Sequence, residues 1–501
     1  MPNLSHNVIA NAIGRVWMML MAIAFIPVYI STLGVEAYGL VGFYITLQAA
    51  FLSVFDFGLS ATMSRELAKA SSTGDAARIR ATVRTLEVVY WTLCILSGLA
   101  LVAAAPWVSS WWVNAPGLSE ATVENAVRMM GLVIAFQVPF TLYRGGFNGL
   151  QRQVTENLLL ILQLTVRFGG AAAVLWFFAP TIEAYFSWQL VATAATTLLA
   201  AWLLWKNIPT AAQRPRFKVS ILLDIRAYAL TVAANGVIGL AITQLDKLLL
   251  SSLVPIEQFA YYTIAATVAM AMWSLALPLS HALFPRFTQL WATSSLHELR
   301  TLFHKSSQML TIIIVAGSSS VVLYASPLLL VWTGDPAIAQ YSAPVLQFLV
   351  VGTALNALAS IAGVLLSAAG LPRAVLKSNL VLGALLIPGL ILVIPMYGIT
   401  GAASLWMVIN AGYLFLLVPV AHRQVIRAGM SHWFWKDTLL PASFALLGAS
   451  VAQSLVPAEL NNYGQLLAFA TTFCMAVTTA LVVSPDTRTT LLGLLRRVLS
   501  N

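Results

Sequence analysis

The chain has 501 residues, 59% apolar and only 9% charged, with a formal net charge of +10. A soluble protein of this length would carry roughly a quarter charged residues, so the composition excludes a water-soluble globular enzyme or binding domain as the bulk of the chain. The basic residues are spread along the sequence with no folded basic module to hold them, which argues for anionic lipid contact and against nucleic acid as a partner.

Apolar segments of the ~20 residues that cross ~30 Å of hydrocarbon recur from end to end. They fall at 7–33, 38–65, 85–105, 122–143, 155–178, 184–205, 227–253, 258–283, 307–326, 342–367, 374–394, 399–421, 438–456 and 464–483. The prediction is an all-α polytopic membrane protein with about 14 transmembrane helices. The first segment contains Arg15, lacks a basic region ahead of it and is longer than the apolar core of a signal peptide, so it reads as a retained span. The second contains Asp56 and ends on Arg65, the fifth contains Arg167, and the seventh contains Asp246 and Lys247. Cys94 and Cys474 lie within the third and fourteenth segments and read as small buried hydrophobes, so no disulfide and no metal are expected. No cofactor is expected, and no phosphate-cradling Gly-Lys-Ser/Thr loop points to direct ATP use.

Of the 27 Lys and Arg residues, Arg15, Arg128, Arg167 and Lys247 lie within segments, and the rest fall on one set of alternate connections. The intervening connections carry none and hold Glu36, Glu120, Glu183, Glu257, Asp335 and Glu459. Cytoplasmic loops concentrate Lys and Arg, so both termini are expected in the cytoplasm and the number of spans is even.

Shifting the sequence by about 221 residues aligns its first half with its second. Glu36 meets Glu257, Arg65 meets Arg286, Pro106 meets Pro327 and Trp111 meets Trp332, while Gly149-Leu150-x-Arg152 meets Gly370-Leu371-x-Arg373. This predicts two six-helix repeats, 1–205 and 227–425, joined by a basic cytoplasmic linker, 206–226, with two additional helices in 426–501. Six spans return the chain to its starting side, so the repeats run in the same direction, about an axis along the membrane normal. That arrangement belongs to transporters.

The stretches from Tyr29 to Leu40 and from Phe55 to Ser60, together with Phe147–Arg152 and Gln244–Leu248, resemble the polysaccharide-biosynthesis flippases. These are the O-antigen and exopolysaccharide repeat-unit flippases of the multidrug/oligosaccharidyl-lipid/polysaccharide exporter superfamily. The resemblance covers residues 1–425. It implies a bacterial inner-membrane flippase that moves an undecaprenyl-pyrophosphate-linked oligosaccharide from the cytoplasmic to the periplasmic leaflet by alternating access. The partners implied are the polyprenyl-linked sugar, membrane lipids and, beyond these, a glycan polymerase and glycosyltransferases.

A charge deep in hydrocarbon costs from ~3 kcal/mol on insertion scales to above 10 in simulations, so such residues face a partner or a watery cavity. Arg15 and Asp56 sit at similar depth, either as an ion pair joining the first two helices or as a cavity pair, with Arg15 binding phosphate and Asp56 serving in coupling. Arg167 has no evident carboxylate partner and is a second candidate for phosphate, which its planar fork can hold through two parallel hydrogen bonds. Lys247 either snorkels to the interface or faces the lumen beside a protonatable Asp246. Arg65 and Arg286 are either topology determinants or a basic portal for the headgroup. Arg128 follows Glu124 by four residues and reads as a simple helical ion pair. The intramembrane amides Gln48, Gln163, Asn235, Gln244, Asn356 and Asn410 read first as bridges between helices and second as donors and acceptors for sugar hydroxyls. The excess of deep cations favours an anionic substrate over the organic cations of the alternative, a multidrug exporter. An enzyme reading lacks the large outer loop that catalytic groups would need.

Overall fold

The computed structural model describes residues 4–56, 58–211, 214–457, 460–485 and 487–489, and every element among them is helical. The chain is an all-α polytopic membrane protein. Twelve helices among the described residues are long and apolar enough to cross a membrane. Cα packing divides the chain into two compact units, Met1–Ala260 and Tyr261–Asn501.

The first unit contains α1 (Leu4–Ala24), α2 (Ile26–Leu33), α3 (Val35–Phe55), α4 (Leu59–Thr73), α5 (Ala76–Trp107), α6 (Glu120–Gly149), α7 (Gln153–Leu164), α8 (Gly170–Phe177), α9 (Ile182–Asn207), α10 (Val219–Thr243) and α11 (Leu245–Leu253). Several expected continuous spans are interrupted, each for a local reason. Pro27 lies at the start of α2, where its missing N–H costs nothing, and it marks the step from α1. Between α7 and α8 the helix widens into a π turn over Thr165–Gly169. The expected span 38–65 breaks at Asp56, because Gly58 adopts a left-handed backbone (φ 65°) that ends α3 and starts α4. Asp56 therefore sits at a helix junction, not in mid-span. The expected linker 206–226 is extended only in part, since α10 begins at Val219.

Packing in this unit depends on small residues. A Cβ on Gly145 or Gly149 of α6 would collide with the Ser60 or Ser64 carbonyl of α4. Four-residue spacing puts the two glycines on one face, where bare backbones approach closely without a hydrophobic drive from water.

α12 (Ile256–Ala292) leads into the second unit, which holds α13 (Leu296–Leu323), α14 (Ala325–Thr333), α15 (Pro336–Ala368), α16 (Pro372–Ala421), α17 (Leu440–Ser454) and α18 (Asn462–Val482). At ~1.5 Å per residue α16 would be more than twice as long as the ~30 Å hydrocarbon core is thick. It reverses at Gly398 (φ 57°, ψ −142°). Leu382 lies against Gly412, Gly389 against Leu405 and Val393 against Gly401, so the two limbs run antiparallel from that residue. The segment thus holds both the eleventh and the twelfth expected spans. α17, at 15 residues, is preceded directly by a π turn over Trp433–Leu439. It packs with α13 and α18 around Ile312, Ala316, Ala445, Ala449, Ala476 and Ala480, another seam of small side chains.

Two side-chain expectations can be read directly. Asn356 Nδ2 donates to Asn410 Oδ1 at 2.6 Å, bridging α15 and α16. Cys94 is buried as expected, but Cys474 is exposed, because α18 turns that face away from the α13 and α17 seam.

Candidate functional site

The first unit carries most of the charge within membrane helices. Arg167 lies in the π turn, which re-aims its side chain into the bundle, where it is 5% exposed. Its Nε donates to Gln189 Oε1 (2.9 Å) and one terminal nitrogen donates to Tyr44 OH (2.9 Å). Gln189 Nε2 donates back to the Arg167 carbonyl at 3.3 Å. No carboxylate contacts Arg167 among the described residues. A guanidinium buried with only neutral acceptors is an uncompensated positive charge.

Arg15 lies on α1, exposed, with no hydrogen bond or ion pair among the described residues. Trp17 Nε1 donates to Thr165 Oγ1 at 3.0 Å, so α1 runs beside the π turn that holds Arg167. The same neighbouring segments therefore present both cations.

Asp56 is not the partner of Arg15. Its Oδ1 accepts from Tyr90 OH (2.7 Å) and its Oδ2 from Ser60 Oγ (3.0 Å). Tyr90 OH is in turn 2.9 Å from Thr141 Oγ1. The result is a hydroxyl chain linking α3, α5 and α6 through one carboxylate.

Lys247 Nζ donates to the Thr243 carbonyl at 3.2 Å and lies 3.9 Å from Asp246 Oδ1, in the short α11. Arg65 is exposed on α4, with its guanidinium 4.6 Å from the centre of the Tyr228 ring. Arg286, in the second unit, donates to Gln289 Oε1 (2.7 Å) and Glu298 Oε2 (3.3 Å). It lines a recess of about 350 Å³ with His297, Glu298, Thr301 and Lys305. Arg128 pairs with Glu124 on one helix face, as its spacing predicts.

Among the described residues of the first unit, sequence reasoning missed three buried carboxylates. Glu87 accepts from Tyr143 OH (2.8 Å) and Trp205 Nε1 (3.2 Å) and pairs with Arg84 (3.3 Å). Glu156 pairs with Arg144 (2.5 Å), and Glu66 with Arg78 (3.5 Å). The Arg84–Glu87 spacing of three residues on one helix was a usable signal. The other two pairs join different helices across twelve residues, where no periodicity shows them. Each of these carboxylates uses a cation, whereas Arg15, Arg65 and Arg167 have no carboxylate partner among the described residues.

These helices, with charged and polar side chains packed among them, define a polytopic membrane protein. Residues 4–291 match the family model described as polysaccharide biosynthesis protein, and the chain belongs to that family. A Shigella flexneri protein named for O-antigen transport is 21% identical over 406 residues, 80% of this chain and 94% of that one. Among solved structures, lipid II flippase MurJ in an inward closed conformation superposes with a TM-score of 0.70 at 13% identity, covering 96% of this chain and 99% of that one. An inward-facing multidrug resistance MATE family transporter of the MOP superfamily gives 0.69 at 13% identity, covering 81% and 94%. These structural likenesses establish the shared fold.

Proposed function

We propose that the protein is a flippase for an anionic lipid-linked saccharide, namely an undecaprenyl-pyrophosphate-linked oligosaccharide carried from the cytoplasmic to the periplasmic leaflet of a bacterial inner membrane. Membership of the polysaccharide biosynthesis family and the relative named for O-antigen transport support the substrate class. The observation that carries the charge of the substrate is the set of cations without carboxylates. Arg15 and Arg167 keep no acidic partner among the described residues, and Arg65 keeps only an aromatic face, against Asp56, held by hydroxyls, and Asp246, which lies beside Lys247. Such a surplus in low dielectric attracts a pyrophosphate and repels an organic cation.

In this reading Arg15 contacts the phosphates and Arg167 fixes the positive field beside it, while Lys247 extends it. Arg65, exposed on α4, and Arg286, near the end of α12, are each candidates to draw the headgroup in. Asp56, with its hydroxyl chain, and Asp246 are candidates for coupling protons. Helix starts that recur near the sequence offset, Val35 with Ile256 and Gln153 with Pro372, support the two-repeat organisation. Basic connections on alternate sides support cytoplasmic termini. Transport would then proceed by alternating access, in company with glycosyltransferases that make the substrate and a polymerase that consumes it.

The test is polymer export in cells that depend on this protein, with Arg15→Ala and Arg15→Lys variants at matched abundance. Arg15 is exposed, so its loss leaves folding intact. Export should fall with Ala and recover only partly with Lys, which lacks the bidentate fork. Undiminished export by Arg15→Ala would remove that residue, and efflux of a fluorescent organic cation that depends on the protein would favour the multidrug alternative, which the MATE fold also accommodates.

A further inference from the structure

At one end of the second unit, three side chains that the transport reading does not use converge on a common point. His304 stands on α13, while His432 and Asp437 flank and occupy the π turn over Trp433–Leu439 that precedes α17. Their ligand atoms, one per residue, all lie within 4.8 Å of one another. His304 Nδ1 is in close contact with Asp437 Oδ2, His432 Nε2 is 3.8 Å from Asp437 Oδ1, and the two imidazoles are 4.6 Å apart at their centroids.

The π turn makes this convergence possible. Residues five apart would point ~140° away from each other on an α-helix, at ~100° per residue. Widening to i→i+5 bonding brings His432 and Asp437 onto one side, facing α13. Asp437 is 3% exposed, a buried carboxylate between two imidazoles. One hydrogen bond to His304 satisfies one of its oxygens. The other oxygen faces an imidazole nitrogen at a distance too long for a hydrogen bond. A cation between them would satisfy both lone pairs at once. Beside them His422, 2% exposed, lies with its ring 6.4 Å from that of His304. Its Nδ1 bonds the Val418 carbonyl, while its Nε2 has no partner among the described residues.

We propose that His304, His432 and Asp437 bind a divalent transition metal of the zinc type. Two imidazoles and a carboxylate are a common ligand set for such ions, with water or a fourth group completing the tetrahedron. Tetrahedral zinc with bonds of ~2.0–2.1 Å holds its ligand atoms roughly 3.3 Å apart, so an ion would part the close His304–Asp437 contact and draw the more widely spaced His432 inward. The site revises the expectation of no metal, which rested on the two cysteines alone. An ion held here ties the entry of the last two helices to α13, beside the bonds from Gln308 Nε2 to the Lys436 carbonyl (3.0 Å) and from Arg300 Nε to the Ile426 carbonyl (2.7 Å). The metal is therefore structural, and the inference is independent of what the protein transports.

The test uses the full chain, purified without a polyhistidine tag in detergent and stripped with EDTA. Zn2+ is titrated while metal content and the thermal unfolding midpoint are measured, and Co2+ is added separately to read the absorption of a tetrahedral site. The native chain should bind Zn2+ in equimolar amount, with a raised midpoint. His432→Ala is the informative variant, because its ring is half exposed and the His304–Asp437 contact survives its removal. It should leave the metal-free midpoint unchanged and weaken Zn2+ binding by more than about tenfold. Failure of the native chain to retain Zn2+, or equal Zn2+ affinity in native and His432→Ala proteins, would overturn the site. Asp437→Asn should likewise lose the metal, and retention there would also overturn it.

Discussion

Replacing Arg167 with methionine separates a transport role from a structural one. The change removes the charge but keeps a long, flexible apolar side chain in the same space. Two hydrogen bonds from a charged donor are lost, worth about 1.5–3 kcal/mol each, and Gln189 and Tyr44 lose their donor. Against this stands the relief of desolvating a guanidinium that has no carboxylate beside it, a cost of several kcal/mol per ion even after relaxation. The opposing terms are of similar size, so the net change in stability should be within about 2 kcal/mol in either direction. Arg167→Ala, by contrast, adds a cavity of several methylenes to the same losses and should be clearly less stable. The assay pairs the thermal unfolding midpoint of purified protein with polymer export in cells at matched abundance. The expected pattern for Arg167→Met is a near-native midpoint with export lost. Native export at native abundance would show that the charge does nothing for transport. A midpoint lowered as far as that of Arg167→Ala would show that Arg167 acts as a structural clamp.

Glu87→Gln should destabilise the first unit by about 1.5–3 kcal/mol, since a buried carboxylate with three donors becomes a neutral amide, and export should fall only in step with abundance, read by immunoblot. Asp56→Asn keeps the shape of the helix junction, so the unfolding midpoint should hold; if Asp56 carries the coupling proton, export by this variant will no longer respond to an imposed pH gradient, whereas an unchanged response assigns coupling elsewhere. Gly149→Val should push α4 away from α6 and sharply reduce the amount of folded protein in membranes, while a normal yield would contradict the close approach at Ser64. Tyr228→Leu removes the ring beneath Arg65 and should cost about 0.5–1 kcal/mol at this exposed site, with an unaltered midpoint showing that the stacking contributes nothing.

Hydropathy alone located nearly every helix, because twenty apolar residues in a row have few other fates. It did not show where those helices break. Pro27 and Gly58 were visible residues, yet both are common in spans that stay continuous, so their presence did not announce the steps after Ala24 and Phe55. The π turns at Thr165 and Trp433 have no sequence signature, and they decide where Arg167, His432 and Asp437 point. Glu124 and Arg128 were legible because a helix fixes the geometry of residues four apart. Asp56 was not, because its partner Tyr90 is 34 residues away on another helix and is an uncharged residue that charge counting passes over. Intramembrane cations could be picked out by their cost, but whether each had a counterion depended on packing between helices.

The reversal at Gly398 has a consequence for how the polypeptide enters the bilayer. Its two limbs are joined without a hydrophilic loop, and the exposed residues at the bend are Met396 and Tyr397. No polar stretch has to be carried across, so both limbs can partition into lipid together as one hairpin. A hairpin of this kind is neutral in parity: it returns the chain to the side from which it left. Deleting either limb would remove a single crossing, so the segment that follows, with Arg423, Arg427 and Lys436, would begin on the opposite face.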